Sequence, residues 1–252
     1  MGRLDGKVAF VTAAGGGIAG ATARLYSAEG AAVACVDIAA DTAGQTAADI
    51  EAAGGRAIAL TCDVTDPDAV AAALDETAAA FGRIDTVFDA AAYSEPKHSV
   101  ADMPVETWKA VIEVNLTGMF IVAKLAIPHL RAAGGGTIVL VSSIYGHIGA
   151  SERPAYCASK GGVRMLAKAI AIDHADDNIR ANAILPGPIE TPRLLQRNAS
   201  MDGVRERHGA RLLQHRLGQP DEVAKAALYL ASDDSTFTSG ADFFVDAGYT
   251  AI

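Results

Sequence analysis

Short apolar runs rich in β-branched residues alternate with helix-compatible segments along the whole chain. No other property of the sequence narrows the possible folds as far. Strand candidates lie at 8–12, 32–37, 57–62, 86–90, 137–142, 181–185 and 242–245. Helix candidates lie between them at 21–29, 42–53, 67–81, 104–131, 154–174 and 221–231. Gly54-Gly55, Gly82-Arg83, Gly134-Gly135-Gly136 and Pro186-Gly187-Pro188 punctuate the joins. Pro67, Pro104 and Pro154 suit the first turns of helices. Strands separated by helices pair in parallel, with helices covering both faces. The expected fold is α/β: a doubly wound parallel sheet of about seven strands in one domain, residues 1–252. One polar, Arg-rich stretch breaks the alternation, and it predicts a flap over a site at residues 192–216.

Half of the 252 residues are apolar, enough for a sizeable core. The net charge of −9 and the lack of any Lys/Arg block argue against a nucleic-acid partner. No uninterrupted apolar run nears the ~20 residues that span a membrane, and the first residues lack the apolar core of a secretory leader. Cys35, Cys62 and Cys157 have no metal or redox spacing, and no two of the six histidines have ligand spacing. The sequence therefore predicts no metal site and a reducing, cytoplasmic setting.

The first strand runs into Thr12-Ala13-Ala14-Gly15-Gly16-Gly17-Ile18 and then a helix. Glycines at a strand-to-helix turn let the backbone approach a pyrophosphate, and the helix N-terminus offers amide donors. Asp37 ends the second strand, 20 residues beyond Gly17, where a carboxylate accepts from ribose hydroxyls and repels a 2′-phosphate. Neither Gly16 nor Ile38 is basic, which favours NAD over NADP. Asp63, followed by Val64, ends the third strand; it suits either the adenine amino group or the turn before Pro67.

Tyr156 and Lys160 form an i, i+4 pair in a helix-compatible run, with Ser143 upstream at the end of an apolar strand. A free phenol titrates near ~10, and a neighbouring ammonium lowers that value. Tyr156 can then exchange a proton with an alcohol or carbonyl while Ser143 holds the reacting oxygen. A second Tyr-x-x-x-Lys, Tyr93 to Lys97, contains Pro96 and does not suit a helix.

With these motifs in place, the chain resembles the short-chain dehydrogenase/reductase family over its whole length, which implies a Rossmann-type sheet. The resemblance makes Ser143, Tyr156 and Lys160 catalytic, together with Asn115, which it assigns to a water relay through Lys160. It implies that Lys160 and Tyr156 also meet the nicotinamide ribose. Pro186, Gly187, Ile189 and Thr191 resemble the turn that clamps the nicotinamide, and Ala90 and Ala91 fall in the motif after the fourth strand. With Thr12, Gly15, Gly17, Ile18, Asp37, Ile38, Asp63 and Val64 these make up the expected cofactor site. Two motifs depart from the family: Ala13 and Ala19 replace glycines, and Asp89-Ala90-Ala91-Ala92 stands where Asn-Asn-Ala-Gly is usual. Ala13 is expected to crowd the turn, and Asp89 to keep the acceptor role of the asparagine.

By resemblance, the substrate pocket is expected to draw on Glu95, Tyr145, His147, Glu152 and Arg153, with Leu194 and Leu195 from the flap. So polar a wall suits a small polar or cyclic hydroxy compound. The reading is an NAD-dependent oxidoreductase of a secondary alcohol and ketone, assembled as a homotetramer through its long fourth and fifth helices. A sugar 1-dehydrogenase giving a lactone, a carbonyl reductase and a non-catalytic dinucleotide-binding module stay open as alternatives.

Overall fold

The computed structural model describes residues 2–196, 200–209 and 211–251, apart from the side chains at 195, 196, 201 and 207. Its strands are β1 (Val8–Thr12), β2 (Ala32–Asp37), β3 (Arg56–Thr61), β4 (Thr86–Asp89), β5 (Gly136–Val141), β6 (Ile179–Pro186) and β7 (Asp242–Val245). All pair in parallel, in the order β3-β2-β1-β4-β5-β6-β7. The helices are α1 (Gly17–Ala28), α2 (Ala40–Ala52), α3 (Pro67–Phe81), α4 (Val105–Ile112), α5 (Gly118–Ala132), α6 (Pro154–Asp173), α7 (Pro192–Gln196), α8 (Met201–Gly209) and α9 (Pro220–Ala231). The expected doubly wound sheet is present.

Successive side chains of a strand point to opposite faces, and the two cores follow that alternation. Phe10, Ile138 and Leu140 join Leu74, Met119, Val122, Leu130 and Val163, beneath α3, α5 and α6. Val11, Val139 and Val141 join Ala23, Tyr26, Val223 and Leu228, beneath α1 and α9. Removing a fully buried side chain such as Leu140 costs about 2–5 kcal/mol. Because both faces are covered, the sheet leaves ligands only its edges and strand ends.

The expected helix at 104–131 differs in one respect. Its α-helical hydrogen bonding gives way to a π-turn, Glu113–Thr117, between α4 and α5. Asn115, fully buried, sits in that turn. Its side chain is drawn out of the helix toward Tyr93 and Ser159, and one wider turn accommodates it. The apolar content of this helix also exceeds what uninterrupted runs suggested. Val105–Ala132 is long and apolar enough to cross a membrane, an 18-residue stretch of it having a mean hydropathy of 1.8. Its α5 half is a core helix, burying Met119, Val122, Ala123, Ala126 and Leu130.

Candidate active site

The chain builds β1, β2 and β3 outward in one direction and then crosses over to β4. Loops leaving the C-terminal ends of β1 and β4 therefore diverge and open a crevice between them. On one side lies the turn into α1. Gly17 has φ 56°, a left-handed value that glycine adopts at little cost. A Cβ on Gly15 would lie 2.2 Å from Thr42 Oγ1 and 2.8 Å from Asp37 Oδ2, so no side chain fits there. A Cβ on Gly16 would meet nothing within 4 Å, leaving open space before the turn. No side chain caps α1, and its first turn carries no acid. Its leading amides and dipole thus face that space uncompensated, as a phosphate requires. These residues fit a dinucleotide.

The two departures in the glycine motif resolve differently. Ala13 takes φ 55°, the left-handed conformation for which glycine is the usual choice. Ala19 is buried and well packed in the α1 core. The close approach of helix to turn falls instead at Gly20, whose Cβ would lie 3.2 Å from the Ala14 carbonyl.

Asp37 closes β2 with its carboxylate held in place. Oδ2 accepts from the Gly15 amide at 2.9 Å and Oδ1 from the Ala39 amide at 3.0 Å. Ile38 is 68% exposed, with no basic group on its side chain. Asp63 is exposed and shows the turn role: it accepts from the Thr65 amide and hydroxyl at 2.9 and 2.8 Å. Val64 is buried.

At the end of β4, Asp89 is wholly buried. Its Oδ1 accepts from the Thr12 hydroxyl at 2.6 Å and the Ala91 amide at 3.1 Å, and the Ala90 amide donates to Thr12 Oγ1 at 3.2 Å. The acceptor role expected of Asp89 is thus filled. Its Oδ2 is buried without a hydrogen-bond partner. Burial raises the Asp89 pKa, against the opposing pull of Thr12, Ala91 and Lys160.

Across the crevice β5 delivers Ser142 and Ser143. The Ser143 hydroxyl accepts from the Tyr145 amide at 3.1 Å, starting a short 3₁₀ turn, Ile144–Gly146. This turn lies hard against α6: a Cβ on Gly146 would come 2.5 Å from the Lys160 carbonyl. Ser142 Oγ donates to that same carbonyl at 2.7 Å. Lys160 Nζ returns the link, donating to the Val141 carbonyl at 2.8 Å. The strand carrying Ser143 and the helix carrying Tyr156 are therefore fastened together at Lys160.

Helix α6 begins at Pro154, placing Tyr156 in its first turn and Lys160 one turn later. Lys160 Nζ is 6.0 Å from the centroid of the Tyr156 ring. Lys160 is 1% exposed. Burial, helped by the positive charge of Arg193 and opposed by Asp89, lowers its pKa to about 7. The site is thus built on an amine that exchanges its proton near neutrality.

The Asn115 side chain is fully engaged with neighbouring elements. Its Nδ2 donates to the Tyr93 carbonyl at 3.1 Å and Ser159 Oγ at 3.2 Å, and its Oδ1 accepts from the Tyr93 amide at 2.6 Å. It pins the β4–α4 loop to α6.

The five residues expected at the pocket differ in burial and in partners. Glu95 is 2% exposed; its Oε1 accepts from the Tyr156 amide at 3.3 Å, while Oε2 is buried without a hydrogen-bond partner. Arg153 donates to the Glu95 carbonyl. Tyr145 packs against the cluster of Ile144, Leu212 and Tyr249, and burial pushes its pKa up to about 12. His147 is exposed, edge-on to Phe244 at 5.1 Å. Glu152, also exposed, takes φ 60°.

Thr191 closes the cofactor side, lying 3.5 Å from where a Gly17 Cβ would stand. Beyond it the flap holds α7 and α8; residues 197–199 and 210, and the Leu195 side chain, lie outside the described residues. Leu194 packs against the apolar cluster of Ile144, Val204, Leu212, Leu217 and Tyr249. Pro186 ends β6 and Gly187 donates its amide to the Val245 carbonyl at 2.9 Å, fixing the turn that carries Ile189. A cavity of about 320 Å³ beneath the return of the flap shares Gly187 and Ile189 with this turn, but neither Ser143, Tyr156 nor Lys160 lines it. Sequence reasoning missed Ser142, Ser159 and Arg193 as site residues. The signal for Arg193 was its place two residues after Thr191.

Among the described residues no group of His, Cys, Asp or Glu is arranged to hold a metal. A crevice with a phosphate-ready turn on one side and a phenol–amine pair on the other belongs to a nicotinamide-dependent oxidoreductase. Residues 12–250 match the family model described as Enoyl-(Acyl carrier protein) reductase, and the chain belongs to the short-chain dehydrogenase/reductase family. Cis-4-hydroxycyclohexanecarboxylate dehydrogenase of Sinomonas cyclohexanicum is 43% identical, over 98% of this chain and 97% of that protein. Cyclohexanol dehydrogenase of an Acinetobacter species is 36% identical, over 99% and 97%. A solved 7α-hydroxysteroid dehydrogenase, complexed with NADH and 7-oxo glycochenodeoxycholic acid, superposes with a TM-score of 0.93 at 32% identity, over 98% of this chain and 95% of that one. The chain is accordingly an oxidoreductase of the alcohol–carbonyl pair that binds a nicotinamide dinucleotide.

Proposed function

We propose that this chain is an NAD-dependent dehydrogenase of alicyclic secondary alcohols. The observation that carries the reading is the fastening of Ser143 and Tyr156 around Lys160, through the Ser142–Lys160 and Lys160–Val141 hydrogen bonds. It supports a rigid arrangement for one carbinol oxygen. The ring-alcohol substrates named for both curated relatives support the substrate class. Asp37, fixed at the ribose end with no basic residue beside it, supports NAD over NADP.

A bound nicotinamide supplies the hydride acceptor. The protein handles the oxygen and its proton. Ser143 donates a hydrogen bond to the carbinol oxygen and orients it. Tyr156 takes the hydroxyl proton as general base, aided by the ammonium form of Lys160, which stabilises the phenolate. Asn115 holds the widened turn against Ser159, keeping the wall of the pocket in register with α6. The flap at 192–216 covers the site. Exposed Val105, Trp108, Phe120, Met165 and Ile172 on α4, α5 and α6 support self-association through these helices, in our reading as a cytoplasmic homotetramer.

The test is to follow reduced nicotinamide over cyclohexanol, cyclopentanol, hydroxycyclohexanecarboxylates and aldoses, with NAD and NADP. The expected result is turnover of ring alcohols with NAD. Tyr156→Phe should then lower kcat about 10²–10⁴-fold without weakening NADH binding. Turnover of aldoses alone, a preference for NADP, or no turnover of ring alcohols overturns the reading.

A further inference from the structure

Arg193 is the second residue of α7, and its Nη2 is buried without a hydrogen-bond partner. A guanidinium nitrogen removed from water loses hydration and regains it only through an acceptor. That atom marks a place where an acceptor belongs. The segment carrying it is well fixed: the Leu194 amide donates to the Thr191 carbonyl at 3.0 Å and to its hydroxyl at 3.2 Å. Leu194 packs against the apolar cluster that contains Ile144, the residue directly after Ser143. Arg193, two residues past Thr191, also lies within electrostatic reach of Lys160.

Among the described residues none supplies the acceptor. The buried acids of the site, Glu95 and Asp89, each bond through one oxygen, to the Tyr156 amide and to Thr12 and Ala91, and neither of their remaining oxygens bonds Arg193. A dinucleotide pyrophosphate has its own donors at the uncapped start of α1. What remains is the substrate. We propose that Arg193 pairs with a carboxylate on the substrate ring, so that the preferred substrates are hydroxycycloalkane carboxylates rather than neutral cycloalkanols. This inference rests on the dehydrogenase reading above. The planar fork of arginine matches a carboxylate in a way no neutral ring substituent does. Binding becomes two-point: Ser143 and Tyr156 hold the carbinol oxygen, and Arg193 holds the far side of the ring. A rigid ring then presents one carbinol carbon and one face. The pairing also neutralises the cation beside Lys160 and so favours its ammonium form in the loaded site.

The experiment compares kcat/KM for cis- and trans-4-hydroxycyclohexanecarboxylate with that for cyclohexanol, at saturating NAD, in the wild type, Arg193→Leu and Arg193→Lys. The wild type should prefer one acid isomer at least about tenfold over cyclohexanol. Arg193→Leu should cut the acid-to-cyclohexanol ratio by about 10–100-fold, mainly through KM of the acid, with Arg193→Lys in between. A wild type that oxidises cyclohexanol as well as either acid overturns the inference and leaves the dehydrogenase reading standing. So does an Arg193→Leu variant that keeps the ratio, or one whose main defect is a raised KM for NAD, which would assign the cation to the cofactor. A wild type that oxidises none of these alcohols with either nucleotide overturns the dehydrogenase reading itself.

Discussion

Lys160 Nζ donates to the Val141 carbonyl at 2.8 Å, from a side chain 1% exposed to solvent. The bond fixes the amine, but one carbonyl is a poor replacement for water around an ammonium. The Lys160 pKa accordingly falls from 10.5 to about 7. Between these values the unfolded chain holds a proton that the folded chain has released. Stability should therefore rise with pH from about 7 to 10.5 on this residue's account. Urea unfolding of the wild type across this window, against Lys160→Met, should show the rise only in the wild type. Isotope-edited NMR of the lysine should give a midpoint near 7, moved upward in Arg193→Leu.

Glu95 reaches the first turn of α6 from another loop and accepts from the Tyr156 amide. A carboxylate there satisfies an unpaired helix donor and meets the positive end of the dipole. Glu95→Ala should cost about 1 kcal/mol of stability and lower kcat while leaving KM for NAD unchanged. Glu95→Gln keeps the acceptor and should restore most of kcat. Equal kcat in all three proteins would show that the contact does not position Tyr156.

Asp89 buries an unpartnered Oδ2, and its raised pKa means that the folded chain holds a proton the unfolded chain gives up. Stability on its account is lost as pH rises from 3.8 toward the folded value. Asn at this position keeps the acceptor for Thr12 and Ala91 and carries no charge. Asp89→Asn should gain about 1–3 kcal/mol at neutral pH, read as a higher denaturation midpoint. The gain should shrink in acid.

Ala13 holds φ 55° at the start of the phosphate turn. A Cβ in that conformation costs roughly 1–2 kcal/mol, part of it offset by the greater freedom of glycine in the unfolded chain. Ala13→Gly should raise the melting temperature by about 2–4 °C and tighten NADH binding. A lower melting temperature would show that the turn is relaxed with alanine.

Strand–helix alternation made the sheet legible, because buried parallel strands read as short apolar runs and glycines mark their ends. The chemical residues were legible through spacing: Tyr156 and Lys160 lie one helical turn apart, and Ser143 closes a strand. What stayed hidden arises from contacts distant in sequence. Glu95 meets Tyr156 across 61 residues, and Asn115 meets Ser159 across 44. The π-turn at Asn115 has no composition of its own; it exists because that side chain finds partners outside its helix. Arg193 is an ordinary arginine until its neighbours bury it.

The flap leaves and rejoins the frame at one place: Ile189 bridges Gly218, and the Glu190 amide donates to the Gly218 carbonyl at 2.8 Å. Between these residues the flap's described part touches the frame again at Leu213, whose amide donates to the Ala247 carbonyl at 3.0 Å, and through Leu212, which clusters with Ile144 and Tyr249. Its length and lining can drift without disturbing any strand. In such a scaffold, diversification of what is oxidised becomes separable from preservation of the machinery that oxidises it.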